Sequence, residues 1–189
     1  MTLGFDEFAW VAQTLGLKME PAEDGLLVGT LTLDGVVDGV RVHARHWRGE
    51  FVHVEISAYL DPPADFTFRI QPAGLLDKIA SFFGGHDIEV GEPAFDAAYE
   101  IGSEEPSRAR ALLTPALREV LMAWKNASHF DVREDRVGFW TIPGSYSTME
   151  ATVLRDAIKS VAGLARATSA ALPQVPPSAR LTNEIAAWK

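Results

Sequence analysis

The chain has no cysteine among its 189 residues. That absence removes thiol catalysis, disulfides, iron–sulfur ligation and every zinc site built on thiolate. Basic charge is scarce too: 17 Lys and Arg stand against 26 Asp and Glu, for a net charge of −9. Phosphate binding wants a basic face, so this balance argues against nucleic acid as a partner, and it equally disfavours docking to a membrane of anionic lipid. No run approaches the ~18 apolar residues of a membrane span. The opening Met1-Thr2-Leu3-Gly4-Phe5-Asp6-Glu7 lacks the basic start of a secretory leader, so a cytoplasmic location is expected. No phosphate-binding glycine pattern and no His-x-x-x-His spacing is present, and no cofactor is expected.

What is present is an ordinary globular composition, 47% hydrophobic and 23% charged. Arg outnumbers Lys twelve to five, a bias of GC-rich bacterial coding. The length suits one domain, placed at residues 1–172, with residues 173–189 as a Pro-rich linker and short amphipathic tail.

Phe5, Phe8, Ala12 and Leu15 recur at helical spacing, predicting a helix over 4–15 closed by Gly16. Pro21 to Gly25 reads as a turn, after which the period changes to two. Leu27, Leu31 and Leu33 begin a strand, and Asp34-Gly35 and Asp38-Gly39 supply turn chemistry. Val40, Val42 and Ala44 then alternate with Arg41, His43 and Arg45. After Arg48-Gly49-Glu50, Val52, Val54, Ile56 and Ala58 alternate with His53, Glu55 and Ser57. Both apolar sets sit at even positions, so the numbers of paired residues must sum to an even value. Pairing Trp47 with Phe51 satisfies this and sets His43 opposite Glu55 and Arg45 opposite His53. Phe66, Phe68 and Ile70 predict another short strand, and Leu75 to Phe83 a short helix.

Ile88–Val90 and Ala94–Ile101 read as extended. Pro106 opens a helix, and Thr114-Pro115 restarts one to about Lys125 with Thr114 as cap. A hairpin follows around Glu134-Asp135, then a long helix from Ser147 or Thr148 to about Leu172. Its buried face is expected at Met149, Val153, Ala157, Val161, Leu164 and Thr168, widened by Leu154, Ile158 and Ala165. Hairpin connections dominate and no βαβ alternation appears. The fold class expected is α+β, an antiparallel sheet with helices packed on one face and a long C-terminal helix.

The string His86-Asp87-Ile88-Glu89-Val90-Gly91, followed by Phe95-Asp96 and Ala109-Arg110-Ala111-Leu112-Leu113-Thr114, resembles bacterial domains of unknown function. In those families an Asp-Ile…Gly…Phe-Asp motif precedes a Leu-Leu-Thr helix start. The resemblance spans residues 82–124 and implies no activity; the Gly and Phe-Asp read as a turn and a packed strand.

Five features are candidates for function. The strand face with Arg41, His43, Arg45, His53 and Glu55 offers a His–carboxylate pair with flanking guanidinium groups, suited to acid–base work or an acidic ligand; its plain alternative is a solvated sheet face. His86-Asp87 and His129-x-Asp131 are separate ligand-type pairs, short of a metal site unless the fold joins them. Gly144-Ser145-Tyr146-Ser147 lacks the last glycine of a nucleophile elbow, and helix capping accounts for its serines. Trp10, Trp47, Phe51, Trp124, Phe139 and Trp140 either line a cup between sheet and long helix or form core, with Trp47 and Phe51 placed on the wet face among arginines. In the tail, Leu181, Ile185 and Trp188 fall at i, i+4 and i+7, either a docking helix or a disordered end.

These features point to a non-enzymatic bacterial protein-interaction module, an adaptor, assembly factor or immunity-like protein that binds a protein partner or itself. The surface assigned is Arg41, His43, Arg45, Trp47, Phe51, His53 and Glu55, together with Leu181, Ile185 and Trp188. The rival reading is a small-molecule or lipid-binding cup between a curved sheet and the long helix. An enzyme using His43 and Glu55 is a third.

Overall fold

The computed structural model describes residues 5–21, 30–48, 52–73, 88–123, 129–133, 135–140 and 150–176. Among the described residues eight strands form one sheet, β1 (Lys18–Pro21), β2 (Leu31–Val37), β3 (Val40–Arg48), β4 (Val52–Tyr59), β5 (Phe68–Pro72), β6 (Tyr99–Ser103), β7 (His129–Arg133) and β8 (Arg136–Trp140). Their order is β1-β2-β3-β4-β8-β7-β5-β6, with antiparallel pairs throughout. Among the described residues the α-helices are α1 (Phe5–Leu15), α2 (Pro93–Ala98), α3 (Pro106–Leu112), α4 (Pro115–Ala123) and α5 (Ala151–Ala171). The chain is therefore α+β, with its helices on one face of an antiparallel sheet.

Helix α1 ends where Gly16 takes φ +68°, and the Leu17 amide donates back to the Ala12 carbonyl at 2.8 Å. This is the paired-carbonyl termination that a left-handed glycine permits. Phe8 and Ala12 are buried as expected and Leu15 packs partly buried against the core, while Val11 joins the stripe and Phe5 is exposed. Strand β1 is not among the expected elements: Leu17 and Met19 alternate with Lys18 and Glu20, and β1 pairs along β2 up to Pro21, where the expected turn begins; residues 22–25 of that turn lie outside the described ones. Asp34-Gly35 is inside β2 rather than at a turn. A Cβ at Gly35 would sit 2.7 Å from Leu17 Cδ2, so the glycine there answers to a close approach. The turn is Asp38-Gly39, both at positive φ (49° and 82°), the two-residue connection that suits a twisted hairpin.

The expected alternation in β3 and β4 holds: Val42, Ala44, Val54, Ile56 and Ala58 are buried. The register keeps the even sum but is displaced by two residues. Trp47 pairs with His53, Arg45 with Glu55 and His43 with Ser57. A shift of two leaves every side chain on its face, which is why the pattern of burial cannot choose between the two registers.

Pro93–Ala98 is a helix, not an extended segment. Pro at its first position supplies the right φ. Both Asp96 carboxylate oxygens accept from backbone amides, Oδ1 from Val90 at 2.9 Å and Oδ2 from Gly91 at 3.0 Å. Gly91 has φ +81°, and Phe95 is buried. The Gly…Phe-Asp string is thus a capped turn plus a core residue. Thr114 caps α4 as expected, its Oγ1 accepting from the Leu117 amide at 3.3 Å.

Helix α5 lies across β3, β4 and β8 and touches α1 and α4. Leu154, Ala157, Ile158, Val161, Ala162, Leu164, Ala165 and Thr168 form its buried face. It begins after Glu150, and residues 147 and 148 lie outside the described ones. Beyond it, buried Arg108 of α3 donates from Nε to the Pro176 carbonyl at 2.8 Å and pairs with Asp65 and Glu105. Its guanidinium stands 4.4 Å over the Phe66 ring. One cation thereby fixes the chain after α5 to α3.

Candidate interaction surface

Alternation sends the second set of strand residues to the face that the helices leave open. The register lines them up in rows across the sheet. The central row runs Lys18, Asp34, His43, Ser57, Gly138, Asp131, Arg69 and Gly102, one residue from each strand in spatial order. A second row runs Glu20, Thr32, Arg45 and Glu55. Polar groups thus run across much of this side, while the opposite side is mostly apolar.

Asp131 anchors the central row. Arg69 donates to it from Nε at 2.5 Å and from Nη2 at 3.2 Å, and Arg133 donates from Nη2 at 2.7 Å. Burial by itself pushes this carboxyl up, yet hydrogen bonds and charge from Arg69 and Arg133 outweigh it and hold it below the ordinary carboxylate value. Asp131 is therefore a fixed anion with both oxygens occupied. It is poorly placed to accept a proton from a substrate, because protonating it would discard those charge-assisted bonds. At the other end, His43 Nδ1 lies 2.7 Å from Asp34 Oδ1. Gln71 Nε2 donates to Glu100 at 3.0 Å in the row beyond.

The His–carboxylate pair expected here exists with a different partner. His43 meets Asp34 of β2, whereas Glu55 stands across from Arg45. Arg41, His43, Arg45 and Glu55 do share the open face. His46 does not: its even position turns it to the core, where it is 4% exposed and its ring centre lies 5.1 Å from that of Phe8. Trp47 and His53 oppose each other in the register, and their side chains, like those of His129, Phe139 and Trp140, are outside what is described. Phe51, His86, Trp124, Ser145, Leu181, Ile185 and Trp188 also lie outside the described residues. Trp10 is 40% exposed on α1, with the Arg155 guanidinium 5.8 Å from its ring, so it is neither core nor part of a cup.

Sequence reasoning missed the Arg69–Asp131–Arg133 group. Asp131 stood out there only as a ligand-type neighbour of His129. The alternation of Phe130 and Val132 with Asp131 and Arg133 puts both charges on one face, but their partner Arg69 comes from β5, 62 residues away. Among the described residues no three His, Asp or Glu side chains gather to hold a metal. No described helix is long and apolar enough to cross a membrane.

Two clefts open beside the rows. One of about 380 Å³ has Gly138, Ser57, Glu55 and Asp131 in its lining with Arg133 and Arg136. The other, about 480 Å³, lies by the β2–β3 turn between Arg41, Tyr59, Arg166 and Ser169. By contrast, Phe8, Leu33, Ile56, Val137, Leu154, Ile158 and Val161, all fully buried, belong to the packed interior between sheet and helices.

No family model matches the chain, and no curated protein matches it. A solved structure has the same architecture: that of the mycobacterial trehalose monomycolate transport factor A, TtfA. The likeness covers 91% of this chain and 95% of that one, with a TM-score of 0.60 at 14% sequence identity. At that identity the likeness carries the fold alone.

Proposed function

We propose that the chain is a non-enzymatic binding module whose working surface is the open face of its sheet, and that its partner is a protein. The observation that carries this reading is the central row. Charged and hydrogen-bonding side chains from six of the eight strands stand in register, and the buried carboxylate among them, Asp131, is already neutralised by two arginines. Such a face is preorganised for recognition and lacks a free acid–base group at its centre. The fold neighbour, named as a transport factor, is consistent with a role in binding rather than in bond chemistry. A lipid-binding cup between sheet and α5 finds less support, because large apolar side chains occupy that space.

The test is site-specific photo-cross-linking in host cells, with the reactive group placed at Thr32 on the open face or at exposed Lys159 on α5. Covalent capture of a protein from position 32 and not from position 159 is expected. Capture only from position 159, or a lipid as the sole captured species, would refute the reading.

A further inference from the structure

The row nearest the β2–β3 turn differs from its neighbours. It runs Val36, Arg41, Tyr59, Arg136 and Arg133, through β2, β3, β4, β8 and β7. It holds three guanidinium groups, one aromatic ring and one exposed apolar side chain, and no carboxylate. That is uncommon in a chain with 26 acids and 17 bases. Arg41 stacks on Tyr59, its guanidinium carbon 3.8 Å from the ring centre, and Arg136 lies 5.7 Å from the same centre. One ring therefore faces two cations. Asp135 satisfies Arg136 at 2.9 Å and Asp131 satisfies Arg133 at 2.7 Å. Arg41 makes no ion pair among the described residues, and its side chain is exposed.

Residues of this row line both clefts. Arg41 and Tyr59 wall one, and Arg133 and Arg136 wall the other. A stacked arginine keeps its hydrogen-bonding fork in place, so it binds a carboxylate at less ordering cost than a free one. Arg and Tyr are also the residues enriched where interfaces hold most tightly. Five strands at ~4.8 Å spacing give the row a length of roughly 19 Å, the span of about six extended residues.

We infer that this row is the contact strip for an acidic, extended segment of the partner protein, with carboxylates meeting Arg41 and Arg136 on either side of Tyr59. The inference rests on the open face being the binding surface. A peptide is favoured over a polyanionic surface for a reason of charge. With a net charge of −9, the whole molecule is repelled by nucleic acid or an anionic bilayer, whereas a short acidic segment brings few charges and can meet the guanidinium of Arg41, which pairs with no carboxylate among the described residues.

The experiment uses the full chain and a fluorescein-labelled octapeptide alternating Glu and Val, read by fluorescence anisotropy at low salt. A peptide with Lys in place of Glu and vesicles of phosphatidylglycerol serve as rival probes. The acidic peptide should bind, the Lys peptide and the vesicles should not, and added salt should weaken binding by screening. Arg41→Glu should weaken it by about tenfold or more, Tyr59→Leu by less, and Arg155→Glu on α5 not at all. Equal binding of the Lys peptide, or an Arg41→Glu affinity within about twofold of the original, overturns the inference. Binding to vesicles in place of the peptide overturns it in favour of a lipid surface. Should Arg41→Glu melt early, Arg41→Gln gives the same reading without reversing the charge. If cross-linking at Thr32 still captures a protein while the acidic peptide fails, the strip is wrong and the open face stands. Loss of that capture removes both.

Discussion

The two faces of the sheet come from the same strands and obey opposite rules. On the covered face the alternating residues are mostly apolar and buried, His46 being a buried polar one, and α1 and α5 lie over it. On the open face most of the intervening residues are charged or hydrogen-bonding, and they stand in rows that the strand register defines. Burial of apolar surface is worth ~25 cal/mol per Å², so the covered face supplies most of the driving force for folding. The open face adds little beyond pairing its own charges, because exposed ion pairs contribute ~0–1 kcal/mol. It is free to be shaped by what it binds. Asp131 differs from the exposed pairs, since it is a charged group buried on this side, as the neutral Ser57 and Gln71 also are.

Variants on the two faces should separate these roles. The largest effect belongs to the covered face. Ile158→Ala empties space at a fully buried position of α5 and should cost about 2–5 kcal/mol, seen as a lower denaturant midpoint with unchanged slope. A cost under about 0.5 kcal/mol would mean that the face is less tightly filled than its burial implies.

Asp131→Asn comes next. It removes the anion from between Arg69 and Arg133 and should cost about 1–3 kcal/mol, reduced by the partial exposure of both arginines. Its pH dependence carries a sign. The folded carboxyl is held below its ordinary value of 3.8, so its contribution is present above that value. It is lost as pH falls from there through the folded pKa. The original protein should therefore lose more stability than Asp131→Asn between pH ~5 and ~2, measured by urea unfolding. Parallel curves would show that Asp131 is not held as the distances imply.

Asp34→Ala should be the mildest. Its bond to His43 is partly solvated at both ends, and a loss of ~0–1 kcal/mol is expected from chemical denaturation. A loss above about 2 kcal/mol would give the open face a structural load that this division denies it.

How much of this was legible in the sequence follows from what each feature depends on. The alternation in β3 and β4 shows directly, because period-two burial is a local pattern. The register does not, since Trp47 opposite Phe51 and Trp47 opposite His53 bury the same residues. Asp34-Gly35 has turn composition, yet the glycine answers to Leu17, a contact across two elements that no local rule contains. Glu92-Pro93 carried the usual signal of a helix start, overlooked because Ala94–Ile101 also alternates weakly. The Arg69–Asp131–Arg133 group needed the order β8-β7-β5-β6, which depends on long-range packing. The row of Arg41, Tyr59 and Arg136 needed the same knowledge of which strands adjoin.

The division of labour between the faces is tested most directly by carboxyl footprinting, with carbodiimide and glycine ethyl ester, of the free chain and of the chain with its captured partner. Asp34 and Glu55 report on the open face, while Asp156 of α5 and Glu119 of α4 report on the helical side. The account predicts that labelling falls at Asp34 and Glu55 in the complex and is unchanged at Asp156 and Glu119. Protection of Asp156 and Glu119 with Asp34 and Glu55 still labelled would contradict it.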